Sequence, residues 1–204
     1  MSKKFAITGI GTDVGKTVVS SIVAEALSAT YWKPLQAGDL ENSDSIKVAR
    51  YTSNVKVLEE RFRLTEPMSP HAAAEIDGVK IVLDDLQLPE VDSNFIVEGA
   101  GGLMVPLNNE GLTFADAIES WGIPTIIVSR HYLGSINHSL LTVDVLKSRR
   151  VDIAGIIFVG DENKATESII LKYSGLQMIA RIPMAEALDK TFIGQQAKKI
   201  SSQL

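Results

Sequence analysis

Apolar positions along the chain gather into short runs rich in β-branched residues, at 5–8, 30–34, 94–98, 124–129, 153–159 and 178–182, each closed by a turn signal. Several of these runs are apolar almost throughout rather than alternating, the pattern of strands covered on both faces of a parallel sheet. Between them lie stretches with helical spacing, at 16–28, 43–51, 79–87, 113–121, 135–149 and 163–173, with a last one from about Phe192. Strand alternating with helix predicts βαβ units, right-handed crossovers and an α/β fold, a mostly parallel sheet covered by helices on both faces. Residues 61–78, with Pro67, Pro70 and Gly78, are the least regular. They lie between elements of one sheet, so a single domain over 1–204 is expected. In such sheets ligands bind at the carboxyl ends of the strands, and candidate chemistry belongs just after each strand.

Composition narrows the partners. A chain of 204 residues buries roughly 70% of its unfolded surface and needs no staple to hold a core. It has no cysteine, which excludes a disulfide scaffold, a thiolate zinc site and a cysteine nucleophile. Lysine and arginine number 20 against 25 acids, a net charge of −5 with no basic block, so nucleic acid is not an expected partner. No apolar run approaches the roughly 18 residues of a bilayer span, and Ser2-Lys3-Lys4 leads into a run too short for a signal peptide. A soluble, cytoplasmic protein without a membrane partner is expected.

The first strand runs into Gly9-Ile10-Gly11-Thr12-Asp13-Val14-Gly15-Lys16-Thr17, followed at once by an amphipathic helix. Glycines let successive N–H groups converge on one concavity at a helix N-terminus, a nest for an anion. A lysine and a threonine directly after such a turn can reach β- and γ-phosphate oxygens and ligate Mg²⁺. The spacing departs from the strict phosphate-loop form, with five residues rather than four between Gly9 and Gly15 and isoleucine at position 10. Strand before and helix after favour nucleotide binding over a chance glycine turn, and with it a three-layer fold of the P-loop NTPase type.

Two acids stand where a metal would want them. Glu98 ends an apolar strand and precedes Gly99-Ala100-Gly101-Gly102, and a carboxylate abutting a buried strand requires a partner. Asp44 in Asn42-Ser43-Asp44 opens a helix, where it also reads as an ordinary first-turn acid. Lys33 closes the second strand beside the loop; by itself it reads equally as solvated surface. His71, His131 and His138 lack metal-ligand spacing, and Trp32 and Trp121 read as core or interface.

Taken together, Gly9–Thr17, Lys33-Pro34-Leu35-Gln36-Ala37-Gly38, Asn42-Ser43-Asp44, Thr65-Glu66-Pro67-Met68-Ser69-Pro70-His71, Val97-Glu98-Gly99-Ala100-Gly101-Gly102 and Leu133-Gly134-Ser135-Ile136-Asn137-His138 resemble the dethiobiotin synthetase family, in that family's order over residues 9–138. The resemblance implies an ATP- and Mg²⁺-dependent ring closure. In it, 7,8-diaminononanoate (7,8-diaminopelargonate) and CO₂ give dethiobiotin, ADP and phosphate through a carbamate and a carbamic–phosphoric anhydride. It implies Lys16, Lys33 and Thr12 as catalytic residues, and Thr17, Asp44 and Glu98 as Mg²⁺ ligands. Asp13, Val14, Gly15, Lys16, Thr17, Val18, Asp44, Glu98, Gly99, Ala100, Gly101 and Pro183 would surround the nucleotide. Lys33, Ala37, Gly134, Ser135 and Asn137 would meet the substrate, its carboxylate bound across a homodimer interface at the start of the helix from Ser135.

Three positions depart from the family pattern. Ala37 stands where a serine or threonine is usual, residues 129–132 offer no counterpart to a lysine seen in some members, and Phe158-Val159-Gly160-Asp161 lacks the asparagine that reads the base. Ile182-Pro183-Met184 resembles the segment beside the base, with Glu186 or Asp189 as ribose contacts. Two other readings stay open: a regulatory P-loop ATPase of the partitioning type, though no lysine occurs in the loop before Gly15, and a catalytically silent nucleotide-binding paralogue.

Overall fold

The computed structural model describes residues 2–204. Seven strands form one sheet, β1 (Lys4–Gly9), β2 (Thr30–Trp32), β4 (Lys56–Val57), β6 (Phe95–Glu98), β7 (Thr125–Arg130), β8 (Ile153–Val159) and β9 (Met178–Ile182), in the order β4-β2-β6-β1-β7-β8-β9. Every neighbouring pair is parallel. The chain starts in the centre of the sheet, steps outward to β2 through α1 (Lys16–Leu27), and later fills the gap with β6. The opposite half is added through α4 (Phe114–Trp121), α5 (Ser135–Ser148) and α6 (Lys164–Ser174). Right-handed crossovers in the two directions put these helices on opposite faces from α1. Accordingly α1 packs with α2 (Asp44–Tyr51) and α7 (Lys190–Ile200), and α5 packs with α6.

Burial on both faces explains the continuous apolar runs. All four residues of β6 are buried, as are the last four of β1 and the first five of β7. Ile7, Phe95, Ile96, Ile126, Ile127 and Phe158 are without solvent exposure at the centre of the core. Trp32 and Trp121 are buried too, their indole N–H groups donating to the Glu59 and Leu86 carbonyls at 3.0 and 2.7 Å.

The irregular region departs from expectation in an informative way. The run at 30–34 breaks at Lys33-Pro34, and residues beyond it form β3 (Leu35–Ala37), which pairs with β5 (Phe62–Leu64) in a separate two-stranded parallel sheet. The stretch 61–78 therefore carries a strand and a short helix, α3 (Pro70–Ile76), opened by Pro70 in its first turn. Conversely, the helix expected at 79–87 is only a 3₁₀ turn at Leu83–Leu86. Ile81 and Leu86 are the buried residues there, and five positions apart they do not fall on one helix face, so no amphipathic helix can bury both.

Candidate active site

The carboxyl ends of β1, β2 and β6 meet at one edge of the sheet. The register pairs Ile7 with Glu98 and Trp32 with Val97, so Glu98 lies beside both the end of β1 and Lys33, the residue that follows β2. The loop from Gly9 to Gly15 then folds back over this edge. A Cβ on Gly9 would sit 2.7 Å from Val14 Cγ2, so the turn closes only around glycine. Gly15 caps α1 in the left-handed region at φ 94°, and no side chain caps that helix. Its first-turn N–H groups stay free for an anion. The second glycine turn packs against the first, with a Cβ on Gly102 falling 3.4 Å from Gly11 Cα.

Two clefts share this edge. One, of about 350 Å³, is lined by Thr12, Asp13, Gly15, Lys16, Thr17 and Val18 together with Asp44, Lys47 and Tyr51 of α2. Glu98, Gly101 and Leu188 also line it. The second, of about 480 Å³, is walled by Gln36, Ala37, Ala100, Val105 and the Pro67–Pro70 turn. Thr12, Asp13, Lys33, Asp44 and Gly101 belong to both, so the clefts meet at Lys33 and Asp44. Their sizes suit small ligands.

The polar groups at the junction are tightly interlocked. Glu98 is without solvent exposure, and its Oε1 accepts from the Thr17 hydroxyl at 2.9 Å and from Lys33 Nζ at 3.3 Å. Its Oε2 accepts from the Tyr31 hydroxyl at 3.0 Å. Lys33 also donates to Asp44 Oδ2, and so bridges both carboxylates. Burial works to lower the Lys33 pKa, but Glu98 and Asp44 outweigh it and hold the ammonium above its ordinary value. Burial pushes the Asp44 carboxyl up, but Lys33, with Lys47 and Thr17 adding to it, outweighs that effect and leaves the carboxyl below its usual range. Burial pushes the Tyr31 phenol well up, with Glu98 adding to the shift, so it stays a neutral donor. Lys16 differs from Lys33: burial brings it down to about 8, and its ammonium finds only the Gly11 carbonyl, at 2.9 Å.

Asp44 is fixed from its backbone as well. Ser43 caps α2 by accepting the Ile46 N–H at 3.4 Å, while Gln36 Oε1 accepts the Asp44 N–H at 3.2 Å. Gln36 in turn donates to the Gly38 carbonyl at 2.9 Å, tying β3 to the start of α2.

Of the sequence-predicted residues, Thr12, Asp13, Gly15, Lys16, Thr17, Val18, Lys33, Asp44, Glu98 and Gly101 come together in the first cleft, and Ala37 and Ala100 in the second. Val14 and Gly99 are buried behind the loops they belong to. Pro183 is exposed and does not line the first cleft, whereas Leu188 of the same loop does. Asp189 is occupied in capping α7, accepting the Phe192 N–H at 2.8 Å. Gly134, Ser135 and Asn137 stand at the start of α5 and line neither cleft. Sequence reading missed Tyr31, Gln36, Lys47, Tyr51 and Leu188. Tyr31 precedes Lys33 by two residues, the strand period that puts both on one side, and Lys47 and Tyr51 follow Asp44 at helical spacing.

Comparisons with known proteins give the family of the chain. A family model described as an AAA domain matches residues 3–191. The chain is 52% identical over 206 aligned residues to a protein from Christiangramia forsetii named ATP-dependent dethiobiotin synthetase BioD, covering 100% of this chain and 99% of the relative. A protein of the same name from Cytophaga hutchinsonii is 44% identical, with 97% of each chain covered. Among solved structures, a putative plasmid partition protein from Borrelia burgdorferi bound to AMPPNP superposes with a TM-score of 0.62 at 12% identity, over 99% of this chain and 97% of that one. The cell division ATPase MinD from Pyrococcus furiosus gives 0.59 at 15% identity, covering 100% of both chains. At those identities the likeness shows the three-layer P-loop fold alone. The full-length sequence relatives decide the rest: the chain belongs to the ATP-dependent dethiobiotin synthetase family.

Proposed function

We propose that this protein, with residues 1–204 acting as one synthetase domain, converts 7,8-diaminononanoate, CO₂ and ATP into dethiobiotin, ADP and phosphate. The observation that carries the reading is the position of Lys33, buried where a cleft with a phosphate loop meets a second cleft walled by Ala37 and Pro67–Pro70. A group crossing from nucleotide to a second substrate passes this ammonium.

One substrate amine takes up CO₂ as a carbamate, and a carbamate oxygen attacks the γ-phosphorus, breaking its bond to ADP. The second amine then attacks the carbonyl carbon of the resulting carbamic–phosphoric anhydride, and phosphate leaves as the ring closes. Two anions must approach each other in the first transfer, so fixed positive charge carries the catalysis. Lys16, Thr12 and the N–H groups of 13–17 hold the phosphates, and Lys33 holds the carbamate oxygens.

Thr17, Asp44 and Glu98 would hold Mg²⁺. Their hard oxygens suit such an ion, and the two carboxylates already converge on one positive charge, the Lys33 ammonium, which supports the reading. Bound there with ATP, the ion supplies charge neutralisation on the phosphate oxygens. Tyr31 keeps Glu98 aimed at the site, and Gln36 and Ser43 keep Asp44 there.

The substrate carboxylate is assigned to the start of α5, a helix capped by Gly134 without a side-chain bond. Because this end lines neither cleft of its own chain, the assignment needs a homodimer. Supporting one are Leu133, fully exposed, and Met104 and Leu141, both about half exposed nearby.

The test is to mix purified protein with Mg-ATP, bicarbonate and 7,8-diaminononanoate and follow phosphate and dethiobiotin. Phosphate release that depends on the diamine is expected; release independent of it, with no dethiobiotin, overturns the reading.

A further inference from the structure

One charged group in the first cleft has no part in the scheme so far. Lys47 lies on α2 one turn beyond Asp44, and Asp44, Lys47 and Tyr51, on one face of that helix, line the same cleft as the phosphate loop. Its ammonium is 3.0 Å from Asp39 Oδ2 and 3.7 Å from Asp44 Oδ1.

The three cleft lysines are not equivalent. Lys33 bridges two carboxylates and is already assigned to the carbamate, and Lys16 opens α1 and reaches back to the Gly11 carbonyl of the loop. Lys47 is the partly exposed one, its side chain retaining 27% of its accessible surface. Its principal partner, Asp39, is more exposed still at 56%, and a pair so screened is worth little. Exchanging it for a phosphate oxygen inside the cleft costs little and gains a charge-assisted bond. The long, flexible lysine stem permits the move.

We propose that Lys47 is a further nucleotide-binding residue, contacting the polyphosphate chain from α2, outside the phosphate loop. The inference rests on the nucleotide reading of this cleft but not on the identity of the second substrate.

Equilibrium binding of ATP and ADP to Lys47→Gln, Lys47→Arg and the unchanged protein, with Mg²⁺ and again in EDTA, tests it. A charge-assisted bond at a partly exposed position predicts about a tenfold loss of affinity for both nucleotides in Lys47→Gln. The loss persists in EDTA, shrinks at high salt and is largely restored in Lys47→Arg. Unchanged affinity in Lys47→Gln overturns the proposal. So does a loss that appears only with Mg²⁺, which would make Lys47 a positioning residue for Asp44. If the unchanged protein binds ATP but makes no dethiobiotin, the synthetase reading fails while the Lys47 result stands. If it makes dethiobiotin and Lys47→Gln binds ATP normally, only the Lys47 inference fails.

Discussion

Lys33 and Glu98 lie side by side because β2 and β6 run parallel in register, Trp32 opposite Val97, and each residue is the next one along. Their separation of 3.3 Å is therefore set by the sheet and not by a flexible loop. An ammonium so placed is fixed before any substrate arrives, which is what stabilising a developing charge requires.

Removing that ammonium separates binding from chemistry. Lys33→Ala is expected to lower diamine-dependent turnover by at least about a thousandfold. Its ATP affinity should stay within about threefold of the unchanged protein, since Lys16 and the loop are intact. Loss of ATP affinity as large as that of Lys16→Ala, measured by the same titration, would contradict the division of roles.

Lys16 gives a pH dependence with a defined sign. Its pKa, brought down to about 8 by burial, rises when phosphate binds beside it, so nucleotide binding is strongest below pH 8 and weakens as pH rises beyond it. Calorimetry at pH 8.5 in two buffers of different ionisation enthalpy should show proton uptake on ATP binding. Lys16→Ala should bind weakly and without that uptake.

At the far edge of the sheet, Glu167 accepts from Arg181 at 2.6 and 2.7 Å and meets His131 Nε2 at 3.0 Å. Arg181, and then His131, bring its carboxyl from 4.5 down to about 2 against the opposing effect of burial. A depressed folded-state value means stability present above pH 4.5 and lost as pH falls toward 2. Glu167→Gln should cost about 1–3 kcal/mol at pH 7 in urea denaturation, with the difference from the unchanged protein shrinking over that acid range.

Gly38 joins β3 to the second cleft in the left-handed region, at φ 66°, and a Cβ there would fall 2.4 Å from Pro67 Cβ. Gly38→Ala is expected to destabilise by about 2–4 kcal/mol and to raise the KM for the diamine more than the KM for ATP. A rise confined to ATP would move the second substrate out of that cleft.

The proposed homodimer is tested at Leu141, which is about half exposed on α5. Leu141→Asp should fold normally, sediment as a monomer and lose affinity for the diamine. A monomeric unchanged protein with full activity would place the carboxylate within one chain.

The sequence by itself determined the sheet, because strands buried on both faces are apolar almost throughout, and runs as short and β-branched as those at 94–98 and 153–159 suit strands rather than helices. It also determined the phosphate loop, since a glycine turn between strand and helix is a local structure. The resemblance singled out Lys33, Asp44 and Glu98, yet their contact was decided only by tertiary structure. Parallel pairing of β2 with β6 brings together residues 65 positions apart in the chain. The same is true of what sequence reading missed. Residues 61–78 looked irregular because β5 pairs with three residues beyond a proline, too few to leave a periodic signal. Local spacing puts Tyr31 on the side of Lys33 and Lys47 on the face of Asp44, but it does not name Glu98 as the acceptor or the cleft as the neighbour. Those roles arise from which neighbours the crossovers supply, a property of the packed chain rather than of any segment.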